Sequence, residues 1–224
     1  MNWLKKYAPK SFEEVAGNKK VVQALKKYVE QGDMPHLIFH GHRGTGKNTL
    51  AVLLAKAMLG NSWRENFKEM NASDERTIDI VRQQIIPYMR HTGLWNFNSK
   101  FKILFLDEAD AITPDAQQAL KRPLEIYEDN CKVIFSCNNI DRIIPEIQDR
   151  CDVYAFPPLK KKDIVARLNY ILQAEGIADG IDVEKIAEEA NGSMRKAIIL
   201  LQRAVLTMDS EMDEIEALLE KYVR

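Results

Sequence analysis

The chain has 224 residues, 46% of them hydrophobic and 29% charged, with a formal net charge of -1. That composition suits one sizeable soluble core or two modest ones, and carries no sign of disorder. The near-neutral balance excludes a globally basic nucleic-acid binder, so any contact with DNA has to come from a local basic surface or from assembly. No apolar run approaches membrane-spanning length and Met1 to Lys10 carries no secretory stretch, so a cytoplasmic protein is expected, or a nuclear one in a eukaryote.

In chain order, an N-terminal segment containing Pro9 precedes an amphipathic helix over Asn18 to Glu30. His36 to His40 is a short apolar run that reads as a buried strand. Residues 41 to 49 follow as Gly41, His42, Arg43, Gly44, Thr45, Gly46, Lys47, Asn48 and Thr49, and a helix of good helix formers runs from Leu50 to Leu59. Strand, glycine-rich loop and helix together make a phosphate-binding loop. Its glycines let consecutive backbone N–H groups turn inward around a triphosphate, and Lys47 reaches the outer phosphates. Where the pattern has a Ser or Thr hydroxyl for Mg²⁺, this chain has Asn48. Nucleotide binding is therefore expected to survive, with weakened metal dependence and slow hydrolysis at best.

Phe67 to Met70 is a second strand, Asp74 to Ile86 a helix closed by Pro87, and Phe101 to Leu106 a third strand. That third strand ends in Asp107, Glu108, Ala109 and Asp110. In a parallel α/β sheet, ligands gather at the carboxyl ends of strands, so Asp107 is placed to hold Mg²⁺ through water and Glu108 to act as base on the attacking water. Thr113 as N-cap and Pro114 at the first helical position start a helix over Asp115 to Tyr127. Pro123 falls inside it, and a bend or break near Lys121 to Pro123 is expected. Lys132 to Cys137 and Asp152 to Phe156 complete five strands. Strands alternating with helices imply an α/β fold with a parallel sheet flanked by helices.

At Pro157-Pro158 the pattern changes to helices alone, over Lys161 to Glu175, Asp182 to Ala190, Ser193 to Met208 and Glu211 to Tyr222. The expected division is a nucleotide-binding domain over 1–157 and a small all-helical domain over 158–224. Cys131, Cys137 and Cys151 form no CxxC pair, and His36, His40, His42 and His91 do not complete a zinc set, so no structural metal is expected.

The glycine loop, Asp107-Glu108-Ala109-Asp110 and Asn71-Ala72-Ser73-Asp74-Glu75-Arg76 together resemble the clamp-loader ATPases of the AAA+ class, most closely the replication factor C small-subunit family, from Tyr7 to about Leu206. The resemblance implies a five-stranded sheet in the order 5-1-4-3-2 with a helical lid, ATP and Mg²⁺ as cofactors, and a DNA-associated location. It implies that Asn138 positions the hydrolytic water and that Arg195, at a helix start in the lid, reaches the γ-phosphate. Arg150 stands where the family places an arginine finger that acts on a neighbouring subunit's ATP, with Asp149 beside it in place of serine and able to divert it into an ion pair. Arg82, Lys121 and Arg122 fall on helices that track the phosphates of primer-template DNA without reading sequence, although each alone is equally an ordinary solvated basic residue. Leu124, Ile126 and Tyr127 resemble the clamp-contacting segment, some of them being core by helical spacing.

The implied partners are other clamp-loader subunits, a sliding clamp and primer-template DNA, with no membrane. Departures cluster at functional positions: Asn48, Asp149, Ala8 for an arginine, His42-Arg43 for a proline pair and Pro123 for a threonine. They keep open a scaffold subunit that binds nucleotide without hydrolysing it, and, more remotely, another AAA+ machine such as a helicase loader or branch-migration motor. The family's small subunits continue into a helical collar that holds the ring together. This sequence ends at Arg224 before one, so monomers or weak oligomers are expected.

Overall fold

A computed structural model describes residues 2–73, 77–91, 100–177 and 180–222, with 209–222 given by backbone only. Two compact units are present, one spanning Pro9–Pro157 and the other combining Met1–Ala8 with Pro158–Arg224.

Helix α1 (Trp3–Lys6) opens the chain and belongs to the second unit. The first unit then runs through α2 (Lys19–Gln31), β1 (His36–Gly41), α3 (Lys47–Leu59), α4 (Trp63–Asn66), β2 (Phe67–Asn71), α5 (Ile78–Ile80), α6 (Ile86–Arg90), β3 (Lys102–Asp107), α7 (Pro114–Ile126), β4 (Cys131–Cys137), α8 (Pro145–Gln148) and β5 (Cys151–Phe156). The five strands form one parallel sheet in the order β2-β3-β4-β1-β5, the order that the family resemblance implies. Alternate side chains serve opposite faces. Ile38, Leu104, Leu106, Val133 and Phe135 pack with Leu120 and Leu124 of α7, while Leu37, Phe39, Ile103, Phe105 and Ile134 pack with Leu50 and Leu54 of α3. Phe39, Phe105 and Phe135 are fully buried, each contributing about 1.5–3 kcal/mol relative to exposure.

The register brings Gly41, Asp107 and Cys137 to the same, carboxyl end of the strands, since Asn71 pairs with Asp107, His40 with Cys137 and Leu106 with Phe135. One buried histidine braces the opposite end. His36 Nδ1 accepts from the Val133 N–H at 2.9 Å, which leaves Nε2 to donate to the Leu124 carbonyl at 2.9 Å.

Three expectations about helices need correction. The helix expected to close at Pro87 continues to Arg90: a π-helical turn at Val81–Ile85 precedes α6, and the altered bonding absorbs the N–H that Pro87 lacks. The segment expected to begin that helix, Asp74, Glu75 and Arg76, lies outside the described residues. Helix α7 is continuous from Pro114 to Ile126, so of the bend or break expected near Lys121 to Pro123 the break is absent. Pro123 is buried between Leu120 and Leu124, its own carbonyl accepts from the Tyr127 N–H at 3.0 Å, and core packing on both sides carries the helix across the missing donor. Finally, the last two predicted helices are one.

In the second unit α9 (Lys161–Glu175) and α10 (Val183–Glu189) precede α11 (Met194–Tyr222), a single helix of 29 residues. No glycine or proline interrupts the sequence between Met194 and Tyr222, so nothing enforces a stop at Met208. Trp3 and Tyr7, one helical turn apart, are buried with Ile164, Leu168, Ala197 and Leu201. The Tyr7 hydroxyl donates to Glu175 Oε1 at 2.6 Å, and Arg167 donates to the Tyr7 carbonyl at 2.7 Å. The first eight residues therefore join the helical unit, where a boundary at 157 had left them with the sheet. Gly192, with φ 78°, fixes the lead into α11: a Cβ there would meet Pro158 Cβ at 2.4 Å, and its carbonyl accepts from the Leu159 N–H at 3.0 Å.

Candidate nucleotide-binding and hydrolytic site

The loop after β1 is built by positive backbone angles and by contact with β5. Gly41 has φ 129°, and a Cβ on it would lie 2.3 Å from the Phe156 carbonyl oxygen, so only glycine fits. The next residue, His42, donates its N–H to that same carbonyl at 3.0 Å. Gly44 and Gly46 also have positive φ, 76° and 102°. Between them Thr45 is buried, its hydroxyl donating to the His42 carbonyl at 2.8 Å, and its own carbonyl receives the Asn18 amide at 2.8 Å. His42 and Arg43 are exposed, and Thr49 is half-buried on the first turn of α3.

Lys47 opens α3 and curls under the loop. Its Nζ donates to the carbonyls of Gly41 at 2.7 Å and His42 at 3.1 Å, and to Asn138 Oδ1 at 3.2 Å. Burial pushes this ammonium below the usual lysine range, opposed by the charge of Asp107 and, more weakly, Asp110. Asn138 lies just past β4, so the glycine loop and the fourth strand meet through one lysine.

Asp107 ends β3, its Oδ1 accepting the Glu108 N–H at 3.0 Å. Glu108 then takes a left-handed conformation, φ 53°, which costs a non-glycine residue about 1–3 kcal/mol and turns the chain sharply off the strand. The Ser73 hydroxyl donates to Glu108 Oε2, and the Ser73 N–H is itself held by Asn71 Oδ1 at 3.0 Å. A 3₁₀ turn at Ala109–Ala111 follows, and from it Asp110 Oδ2 accepts the N–H groups of Asn138 at 3.2 Å and Asn139 at 3.3 Å. Ser73 and Asp110 are contacts that sequence reading missed. Asp110 had one signal, its fixed place two residues after Glu108. Glu69 was likewise missed: Asn48 Nδ2 donates to Glu69 Oε1 at 3.1 Å, tying the replaced metal-ligand position to β2.

Among the described residues no three His, Cys, Asp or Glu side chains gather where a metal ion could sit. Mg²⁺ is usually held by one or two carboxylates together with substrate phosphates. The oxygen-only donors here, the Asp107 carboxylate, the Asn48 amide oxygen and the Glu69 carboxylate, are of the chemistry that suits such a cation.

The remaining expected site residues lie elsewhere. Arg150 follows α8, where Nη1 donates to the Glu146 carbonyl at 2.6 Å and Nη2 lies 3.6 Å from Glu125 Oε2 on α7. Its ion partner is thus Glu125 and not the adjacent Asp149. Lys121 pairs with Glu146 at 3.2 Å, while Arg82 and Arg122 are exposed on the π-helical turn and α7, two elements packed together. Of the apolar trio, Leu124 is fully buried and Tyr127 packs against the core, leaving Ile126 exposed at 55%. Arg195 sits exposed on the first turn of α11, in the helical unit.

A glycine loop on a parallel strand, a lysine opening the next helix, and two acidic residues at the end of the strand next but one in the same sheet define a P-loop ATPase. A family model described as "ATPase family associated with various cellular activities (AAA)" matches residues 37–159. The chain is 44% identical over 216 residues to a protein named Replication factor C small subunit from Methanococcus maripaludis strain C7, covering 95% of this chain and 67% of the relative. It is 47% identical over 205 residues to the protein of that name from Archaeoglobus fulgidus, covering 90% and 63%. The chain belongs to the AAA family of ATPases and, within it, to the replication factor C small subunits, of whose length it spans about two thirds. Among solved structures, the Thermotoga maritima RuvB Holliday junction branch migration motor matches with a TM-score of 0.71 and 19% identity, covering 91% of this chain and 67% of that one; at that identity the likeness concerns the fold alone.

Proposed function

We propose that this chain is the ATP-binding part of a DNA sliding-clamp loader, using ATP binding and hydrolysis to place a clamp on primer-template DNA. The observation that carries the reading is the meeting of Lys47 with Asn138 beside the Asp107-Glu108 turn, in a chain with this family membership. On this reading Pro9–Pro157 is the nucleotide-binding domain and the helical unit its lid. Loop N–H groups and Lys47 hold the triphosphate, Glu108 takes the proton of the attacking water, and Asn138 orients that water. Mg²⁺, when bound, would offset phosphate charge, with Asp107 and Asn48 as its protein donors. Arg195 reports the γ-phosphate to the lid, and Arg150 serves a neighbouring subunit's site after leaving Glu125.

Partners on this reading are other loader subunits, a sliding clamp, and DNA whose phosphates meet Arg82, Lys121 and Arg122 without sequence reading. The working location is the cytoplasm, at the nucleoid. No helix among the described residues is long and apolar enough to cross a membrane.

The Asn48 to Glu69 hydrogen bond favours a second reading, a subunit that holds nucleotide while hydrolysing it slowly or not at all. Steady-state ATP turnover with and without primed DNA separates the two when wild type is compared with Asn48→Thr. A hydroxyl restored beside the phosphates should raise turnover by roughly tenfold. Wild-type turnover equal to that of the variant would remove the impaired-metal reading.

A further inference from the structure

We propose that Asp110 is a positioning residue of the hydrolytic site, fixing the backbone of Asn138 so that its side chain meets Lys47. The inference rests on the reading of Asn138 as the water-orienting residue. β4 ends at Cys137, and beyond it the N–H groups of Asn138 and Asn139 leave the strand ladder. A single carboxylate oxygen accepts both, at 3.2 and 3.3 Å. Hydrogen bonds to a charged acceptor are about twice as strong as neutral ones, and two converging on one atom set the direction of both peptide planes. The direction of the Asn138 side chain follows from that backbone, and its Oδ1 receives Lys47 Nζ at 3.2 Å.

The connection has a second end. Asp110 lies two residues after Glu108 on the same tight turn, where the Ala111 N–H donates to the Glu108 carbonyl at 2.8 Å. Base and water-orienting amide are therefore linked by one short path, Glu108 to Asp110 to the Asn138 backbone. Asp110 touches neither Lys47 nor, on this reading, the nucleotide, and acts through Asn138. A cap that merely tidied the strand end would leave turnover alone or weaken binding and folding together.

The experiment is a double-mutant cycle on the full chain with primed DNA, reading kcat and the affinity for a fluorescent ATP analogue in Asp110→Ala, Asp110→Asn, Asn138→Ala and the Asp110→Ala/Asn138→Ala pair. Thermal melts check that each variant folds. Asp110→Ala should lower kcat by about tenfold while affinity stays within about twofold, and Asp110→Asn, which keeps an oxygen acceptor, should recover most of the rate. Adding Asp110→Ala to Asn138→Ala should cost little more. An Asp110→Ala variant with unchanged kcat, losses that multiply in the double variant, or affinity falling in step with kcat would each overturn the proposal. Because Asn138→Ala is measured alone, a wild-type rate in that variant would instead remove the reading of Asn138, and the proposal with it.

Discussion

Asn48 and His36 are single side chains at which rate and stability can each be tested. At position 48 an amide replaces a hydroxyl and turns its N–H₂ to Glu69, so the group expected beside the metal is engaged with a carboxylate from β2. The Asn48→Thr comparison addresses that residue directly. His36 concerns stability. Burial holds its imidazole below its usual value of 6.5, and Nδ1 already accepts the Val133 N–H, so a proton there loses that bond. The unfolded chain then binds the proton first. Stability is at its full value above pH 6.5, and declines as pH falls through that value toward the lower folded pKa. Melting temperature should drop between pH 7.5 and about pH 5.5, and His36→Asn should start lower but show a flatter slope. Parallel slopes in the two proteins would contradict the assignment.

At the scale of elements, Pro123 is the clearest test. An interior proline costs a helix about 3 kcal/mol, yet α7 runs through it without interruption because Leu120, Pro123 and Leu124 are all buried. Pro123→Ala restores a donor for the carbonyl of Ala119 and loses part of a buried ring, worth about 1–2 kcal/mol. A net gain of about 1 kcal/mol is expected, read as a higher urea midpoint; a lower midpoint would mean that ring packing dominates.

The same helix shows what sequence could and could not reveal. Strand order, the glycine loop, the Asp107-Glu108 turn and the Thr113-Pro114 start were legible because each depends on local chemistry or on a family pattern. The continuity of α7 and the π-helical turn before Pro87 were not, because tertiary packing overrides a local breaker, and the fusion of the last two helices was not, although no glycine or proline separates them. Contacts between distant strands were equally hidden. Nothing in the local sequence says that Glu69 meets Asn48, that Asp110 meets the Asn138 backbone, or that Trp3 and Tyr7 cross to the helical unit.

For the whole molecule, a net charge of -1 means that no global field draws it to DNA. On the proposed reading, DNA binding would rely on local basic residues, of which Lys121 is already paired with Glu146, and on assembly that brings several copies together. On the same reading Arg150, held by Glu125 and the Glu146 carbonyl, would complete a neighbour's site only after exchanging those partners. All of this presumes that the Lys47, Glu108 and Asn138 site hydrolyses ATP. The most direct measurement compares wild type with Glu108→Gln for ATP affinity and for single-turnover hydrolysis on primed DNA. With Glu108 as the proposed general base, its removal should leave affinity within about twofold and slow hydrolysis by about a hundredfold or more. Equal hydrolysis rates in the two proteins would contradict the account.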